Sequence, residues 1–430
     1  MSNHIQRAKI LWLLCVGILC YAVFYTANIY LLRSISIADY GDFAVSIKVL
    51  AILCALLTVA KQFSLTIYLP QYEKSHRFIQ KNGLVLWLSK NLILSALILS
   101  VGITITWGIF YLLENESFLH TFQDSPFHFV LFFLPILTFF VVLSCLGLNQ
   151  PSLNSIYASF LTIFPNILVV AVLVLGLYTL NASTFSTITL YFSSQAVVLV
   201  LYLFLSKTQY EPQHAKDYSV GEHEHWYTSS SAYWLSTFAN QAGVVISLLA
   251  LEFLAPENFV GQYAIILLFV VSFNALISPL HTYLSSQIGI LLGVRTDKMI
   301  ELLRMINKLQ LAIILVGFSS CIIFGKQLLL YIHTDSLHLY GPLVLAMLLF
   351  GMAISTALPI RILMHSPYKN AAFTLKVFRL LACCIFLSVL VPRYGITGAI
   401  ISDTIPMIIT NIIGAYLCHR QLKLNALSIK

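Results

Sequence analysis

The chain has 430 residues, of which 59% are hydrophobic and 9% charged. Soluble domains carry about a quarter charged residues, so this composition excludes a soluble globule and makes lipid the solvent. The net charge of +8 does not imply nucleic acid as a partner, because the Lys and Arg residues recur at intervals that report membrane topology.

Apolar runs of about 20 residues fill the chain from end to end. Runs of this length exclude the weak alternating signal of barrel strands, and backbone facing lipid is then satisfied only in helices. The first span, 10–32, follows Arg7 and Lys9, which places the amino terminus in the cytoplasm. It is too long for a signal-peptide core and lacks a small-residue cleavage pattern. Further spans are predicted at 43–69, 84–112, 127–148, 155–177 and 185–205. A segment rich in Lys, Asp, Glu, His and Ser, 206–229, reads as a cytoplasmic linker. Six more spans follow at 231–254, 260–284, 309–330, 342–363, 371–391 and 396–418.

Alternate gaps are basic: Lys74, Arg77 and Lys81; Lys207 and Lys216; Arg295, Lys298 and Arg304; Lys369; and Arg420, Lys423 and Lys430 at the end. The opposite gaps hold mainly Asp39, Glu114, Glu116, Asp124, Glu257 and Asp335, with Arg33 and Arg393 as exceptions. The expected protein is therefore an all-α, multi-pass protein of a cytoplasmic (inner) membrane with both termini in the cytoplasm. Its twelve helices form two lobes, 1–205 and 230–430, on either side of the linker.

The lobes read as repeats. A shift of 220 positions lays Gly41-Asp42-Phe43-Ala44 on Gly261-Gln262-Tyr263-Ala264, each opening the second helix of its half. The basic gap around Arg77 and Lys81 then corresponds to the one around Arg295 and Lys298. Two bundles of parallel topology, related by an axis along the membrane normal, are expected to enclose a central cavity.

Asp39-Tyr40-Gly41-Asp42-Phe43-Ala44, a helix ending at Tyr68-Leu69-Pro70-Gln71-Tyr72 and the basic gap after it form one characteristic stretch. Together with Val260-Gly261-Gln262-Tyr263-Ala264 and Val391-Pro392-Arg393-Tyr394-Gly395-Ile396-Thr397-Gly398-Ala399, it resembles the O-antigen flippases of the Wzx type. These belong to the multidrug/oligosaccharidyl-lipid/polysaccharide exporter (MOP) superfamily. The resemblance implies a V-shaped, twelve-helix transporter that opens alternately to each side and carries a polyprenyl-pyrophosphate-linked oligosaccharide outward. A glycan polymerase and glycosyltransferases of the same pathway would be its neighbours.

A charge inside a span is costly and usually faces a bundle interior or water. Lys61 lies about 12 Å deep from the cytoplasmic end of the second span, and Arg379 about as deep in the eleventh. Lys376 stands one turn shallower than Arg379 on the same face, and Lys90 enters the third span from the same side. These four cations would receive an anionic headgroup from the cytoplasm, or else snorkel to the headgroup layer. Lys48 is a second station towards the outer side with the same alternative, and Arg361 reads as a positive-inside anchor. The candidates for coupling to protons or sodium are Asp403 and Glu252, near the outer ends of their helices. Local acceptance by Asp403 from Ser402 or Thr404 is the competing account.

All eight cysteines lie in or beside apolar spans without CxxC spacing and read as small buried hydrophobes. Glu222-His223-Glu224-His225 alternates possible metal ligands but lacks partners at metal-site spacing, so neither metal nor cofactor is expected. His333, Asp335 and His338 form an outer-loop cluster. Pro135, Pro165, Pro279, Pro359 and Pro406 fall within spans and invite kinks.

No GxxxxGK[ST] phosphate loop is present, which excludes an ATP-driven pump. Short outer loops argue against a membrane-embedded glycan polymerase or ligase, and no enzyme activity is expected. The rivals to the flippase are a facilitator-type carrier, whose Gly, Asp and Arg-rich turn is missing at Leu69–Arg77, and a cation-coupled drug or small-molecule antiporter of the same superfamily.

Overall fold

The computed structural model describes residues 245–256, 258–291 and 296–427, together with 238, 239, 242, 243 and separate positions within 15–48 and 72–94. Lys61, Lys90, the linker 206–229, the metal-like Glu222–His225 run and the spans expected at 127–148, 155–177 and 185–205 lie outside the described residues. The chain divides into two compact units, Met1–Lys48 with Leu235–Lys430, and Val49–Trp234. The three continuous described stretches all belong to the first unit.

Every described element is helical. Helix α1, Val245–Leu254, buries Ser247, Leu248 and Leu251 and leaves Phe253 75% exposed, as expected of a helix with one face to the bundle and one to lipid. Pro256 cannot continue it. The chain turns there, with the Ala255 N–H on the Leu251 carbonyl and the Phe259 N–H on the Pro256 carbonyl. Helix α2, Asn258–Leu291, starts with Val260, Tyr263, Ala264, Ile265 and Ile266 all buried. Such burial on every side marks a helix in the interior of the bundle.

Helix α3, Thr296–Ile332, begins well before the span expected at 309–330. The stretch read as a basic loop is an amphipathic continuation of the helix. Met299, Leu302, Leu303 and Ile306 are buried at helical spacing, while Asp297, Lys298, Glu301, Arg304 and Lys308 remain exposed. A 3₁₀ turn, Thr334–Leu339, carries His333 and His338 at its ends and leads into α4, Tyr340–Ser355.

The span expected at 342–363 is broken in two. Helix α4 ends at Thr356, and α5, Leu358–Met364, starts with Pro359 in its first turn. A proline there has no N–H to give back to the Ser355 carbonyl; ahead of it the Thr356 N–H keeps its helical bond to Met352 and the Ala357 N–H closes a tighter turn on Ile354. Side chains from neighbouring helices cover the exposed carbonyls. Asn411 Nδ2 donates to the Ala353 carbonyl at 2.8 Å and to Thr356 Oγ1 at 3.2 Å. Gln310 Nε2 donates to the Ile354 carbonyl, and Gln310 Oε1 lies 3.1 Å from His281 Nε2. A broken helix is tolerated in a membrane protein where such groups satisfy its backbone.

Helix α6, Lys369–Leu422, has 54 residues and would measure about 81 Å if straight, far more than a hydrocarbon core of about 30 Å. It is folded back on itself at Gly395, whose φ of 51° and ψ of −124° leave the helical region. Gly398 consequently lies against the Leu390 carbonyl. Its two arms are the spans expected at 371–391 and 396–418. A left-handed φ favours glycine, and a Cβ on Gly395 would in addition stand 2.5 Å from the Phe259 ring.

Residues 15–48 pack on this helical set. The Tyr25 and Phe269 rings meet edge to face at 5.6 Å, and Arg33 lies over the Tyr331 ring at 4.8 Å. Gly41 and Gly261, superposed by the 220-residue shift, touch: a Cβ on Gly41 would stand 2.8 Å from the Gly261 nitrogen. A Cβ on Gly261 would run into the Ile37 carbonyl.

Replacing Gly395 by Ala is expected to destabilise the protein by about 1–2 kcal/mol from the left-handed backbone alone, and by more because of Phe259. Thermal unfolding of the purified protein in detergent, with Gly341→Ala as the unstrained control, measures it; nothing lies within 4 Å of a Cβ on Gly341.

Candidate functional site

Asp403 lies in the second arm of α6, 9% exposed. Its sequence neighbours do not serve it, contrary to the local account. Ser402 Oγ donates to the Gly398 carbonyl at 2.7 Å and Thr404 Oγ1 to the Ile400 carbonyl at 2.6 Å, each bonding back along its own helix as embedded hydroxyls commonly do. The carboxylate is held by three other elements. Ser247 of α1 donates to Oδ1, Tyr263 of α2 donates to Oδ2, and Cys383 of the first arm of α6 donates its S–H to Oδ1 at 3.4 Å. The Cys383 thiol is thus a donor as well as a small apolar filler. Ser247 Oγ also lies 3.1 Å from the Gly243 carbonyl, so its single hydrogen has two alternative acceptors.

Arg379 stands one helical turn from Cys383, and its guanidinium lies beside Gly243, with Nη2 3.6 Å from where a Cβ would sit. Gly243 is itself one turn from Ser247. Both helices therefore place the backbone beside the guanidinium one turn from a residue that touches the carboxylate. The two groups interact electrostatically. Lys376, one turn farther, interacts with Arg379 and with Arg361 of α5. The Arg361 guanidinium reaches the His281 carbonyl at 3.5 Å.

Of the residues expected to matter, the fold brings Asp403, Arg379 and Lys376 into one row. Lys48 is half-buried in the helical stretch after Gly41, and Glu252 is exposed on α1. Ser247, Tyr263 and Cys383 carried no signal as site residues. Among the described residues no group of His, Cys, Asp and Glu is arranged to hold a metal ion.

No protein-family model matches the chain, and no curated protein does. Solved structures do. An inward-facing multidrug resistance MATE family transporter of the MOP superfamily aligns with a TM-score of 0.63 and 14% identity over 96% of this chain and 98% of that one. The Vibrio cholerae MATE transporter VcmN aligns at 0.67 and 16% over 98% and 99%. A MOP superfamily transporter from Pyrococcus furiosus, described as having a binding pocket of reverse polarity that suggests a different function, aligns at 0.64 and 14% over 96% and 95%. The fold is that of the MATE transporters. Its twelve membrane helices in two bundles are the architecture expected from hydropathy and the repeat. At these identities the likeness is one of fold.

Ser247→Ala should lower thermal stability by about 1–3 kcal/mol, the range for a hydrogen bond to a charged group. Ser402→Ala and Thr404→Ala, whose hydroxyls serve only their own helix, should change it by less than about 1 kcal/mol. Unfolding in detergent at neutral pH separates the two cases.

Between α5 and α6, burial and then the Arg361 guanidinium pull the His365 imidazole down from 6.5 to about 4. The folded protein binds this proton less readily than the unfolded chain, so the stabilisation is present above pH 6.5 and lost as pH falls towards 4. Melting temperatures at pH 7.5 and about 5 should differ less in His365→Gln than in the original protein.

Proposed function

We propose that this protein is a proton-coupled antiporter of small molecules, working by alternating access in a cytoplasmic membrane with Asp403 as its coupling group. The observation that carries the reading is a carboxylate buried within the helical set of a transporter fold, held by residues of separate helices. An embedded ionisable group of this kind is a functional site by default. The full-length likeness to transporters described as multidrug MATE proteins supports the same class.

The coupling ion that fits is a proton. The phenol, hydroxyl and thiol all direct hydrogens at the carboxylate, and Arg379 adds a positive charge nearby. A sodium ion needs oxygen lone pairs, and these contacts would have to be broken to supply them. A proton neutralises the carboxylate without a coordination shell. Proton entry from one side and exit to the other then alternate with cargo movement in the opposite direction.

A second reading, favoured by the gathering of Arg361, Lys376 and Arg379, is the flippase of a polyprenyl-pyrophosphate-linked oligosaccharide, such as an O-antigen or capsule repeat unit. Arg residues recognise phosphate groups well.

In proteoliposomes an imposed pH gradient should drive uptake of a small-molecule cargo, and a sodium gradient should not. Asp403→Asn should lower the proton-driven rate by about 100-fold or more while equilibrium exchange of cargo persists. Sodium-driven uptake, or an unchanged rate in Asp403→Asn, overturns the assignment. Proton-driven translocation of a lipid-linked oligosaccharide with no small-molecule uptake would favour the second reading instead.

A further inference from the structure

The Asp403 carboxylate and the Gly41–Gly261 contact are joined by one turn of helix. Phe259 and Tyr263 are four residues apart at the start of α2 and point about 40° apart, whereas Gly261 between them points about 160° away from each. On the first face, Phe259 fills the space beside the Gly395 bend and Tyr263 donates to Asp403. Both contacts are to the α6 hairpin. On the opposite face, Gly261 closes against Gly41 and the Ile37 carbonyl. With a Gly41 Cβ position 2.8 Å from the Gly261 nitrogen, this second contact has no slack, so a movement of the turn by a few tenths of an ångström must change it.

We propose that the first turn of α2 relays the charge state of Asp403 to the Gly41–Gly261 contact, with Tyr263 as the positioning residue. The inference rests on Asp403 being the coupling group. The groups facing that carboxylate are Ser247 from α1, Tyr263 from α2, and Cys383 and Arg379 from the first arm of α6, with Lys376 one turn farther.

While Asp403 is ionised, the phenol O–H is held by a charge-assisted bond, and Phe259 is seated on Gly395. A proton taken up from water converts the carboxylate into a carboxylic acid. The acid now carries a hydrogen of its own, and the Ser247 hydrogen turns to the Gly243 carbonyl, leaving the serine oxygen to accept it. The phenol loses its ionic partner, the turn 258–263 is released from the hairpin, and the opposite face of the same turn parts from Ile37 and Gly41. Loss of the proton restores the contact.

Hydrogen exchange of the full chain in nanodiscs, followed by mass spectrometry across pH, tests the relay, with Asp403→Asn at each pH as the reference for intrinsic exchange. At alkaline pH the amides of 36–41 should exchange on the order of fivefold or more slowly in the original protein than in Asp403→Asn, and the two should coincide at acid pH. Tyr263→Phe should match Asp403→Asn at every pH. Ser247→Ala should keep the gap. A Tyr263→Phe protein that retains the gap overturns the relay and leaves Asp403 as the coupling group.

Should Tyr263→Phe fail to fold, the original protein decides alone. The exchange step at 36–41 must share its pH midpoint with proton-driven uptake, and a separate midpoint or no step overturns the relay. Failure of the underlying reading shows elsewhere, as an Asp403→Asn protein that transports on a proton gradient at the original rate.

Discussion

A carboxylate inside a membrane domain has three ways to exist: as the neutral acid, as an anion enclosed by hydrogen-bond donors, or as one member of an ion pair. Asp403 has the means for each. Ser247, Tyr263 and Cys383 supply donors, Arg379 supplies a cation one turn away, and a proton can replace either. Holding the anion requires α1, the start of α2 and both arms of α6 to stand in one arrangement. Four helical segments thus meet at one ionisable group.

The surrounding fold keeps that dependence local. The break between α4 and α5 is sealed by the amides of Asn411 and Gln310. It lies on the far side of the second α6 arm from the bend at Gly395, since Asn411 is two turns beyond Asp403. The apolar cluster of Leu280, Leu284, Ile288, Met299, Leu302, Ile306, Leu358 and Leu375 fixes the other ends of the same helices. Burial of that extent resists relative sliding, because well-packed interiors are not continuously deformable. At the opposite end Pro256 ends α1 and Gly395 bends α6.

Much of this was legible in the residues, and the part that was not has a physical cause. A carboxylate in an apolar run is conspicuous because its insertion is costly, so Asp403 stood out without any contact being known. Its donors did not, since they lie 156, 140 and 20 residues away in the chain. An isolated Ser, Tyr or Cys in an apolar helix looks like filler, and the adjacent hydroxyls of Ser402 and Thr404 are already committed to their own backbone. The two arms of α6 were legible as the separate apolar spans 371–391 and 396–418, and the interruption near Pro359 from the proline itself. The start of α3 was not. Charge in 296–308 is a loop signal to a hydropathy reading, yet the spacing of Met299, Leu302, Leu303 and Ile306 is helical, and a helix that leaves the membrane does not stop where the lipid does.

The repeat explains why one half of the molecule would carry the coupling group. The aligned stretches keep the glycine at 41 and 261 and the alanine at 44 and 264, but place Phe43 where the second copy has Tyr263. Each glycine is needed for its own close approach, Gly41 to the Gly261 backbone and Gly261 to the Ile37 carbonyl. The phenol is needed only where a carboxylate faces it, and the same shift carries Asp403 to Ser183 and Ser247 to Ala27. The aligned stretches thus keep small residues in both copies, and the acid and its hydroxyl donors occur in one. The contact itself is not symmetric: Gly41 lies against the Gly261 backbone, whereas Gly261 lies against the Ile37 carbonyl.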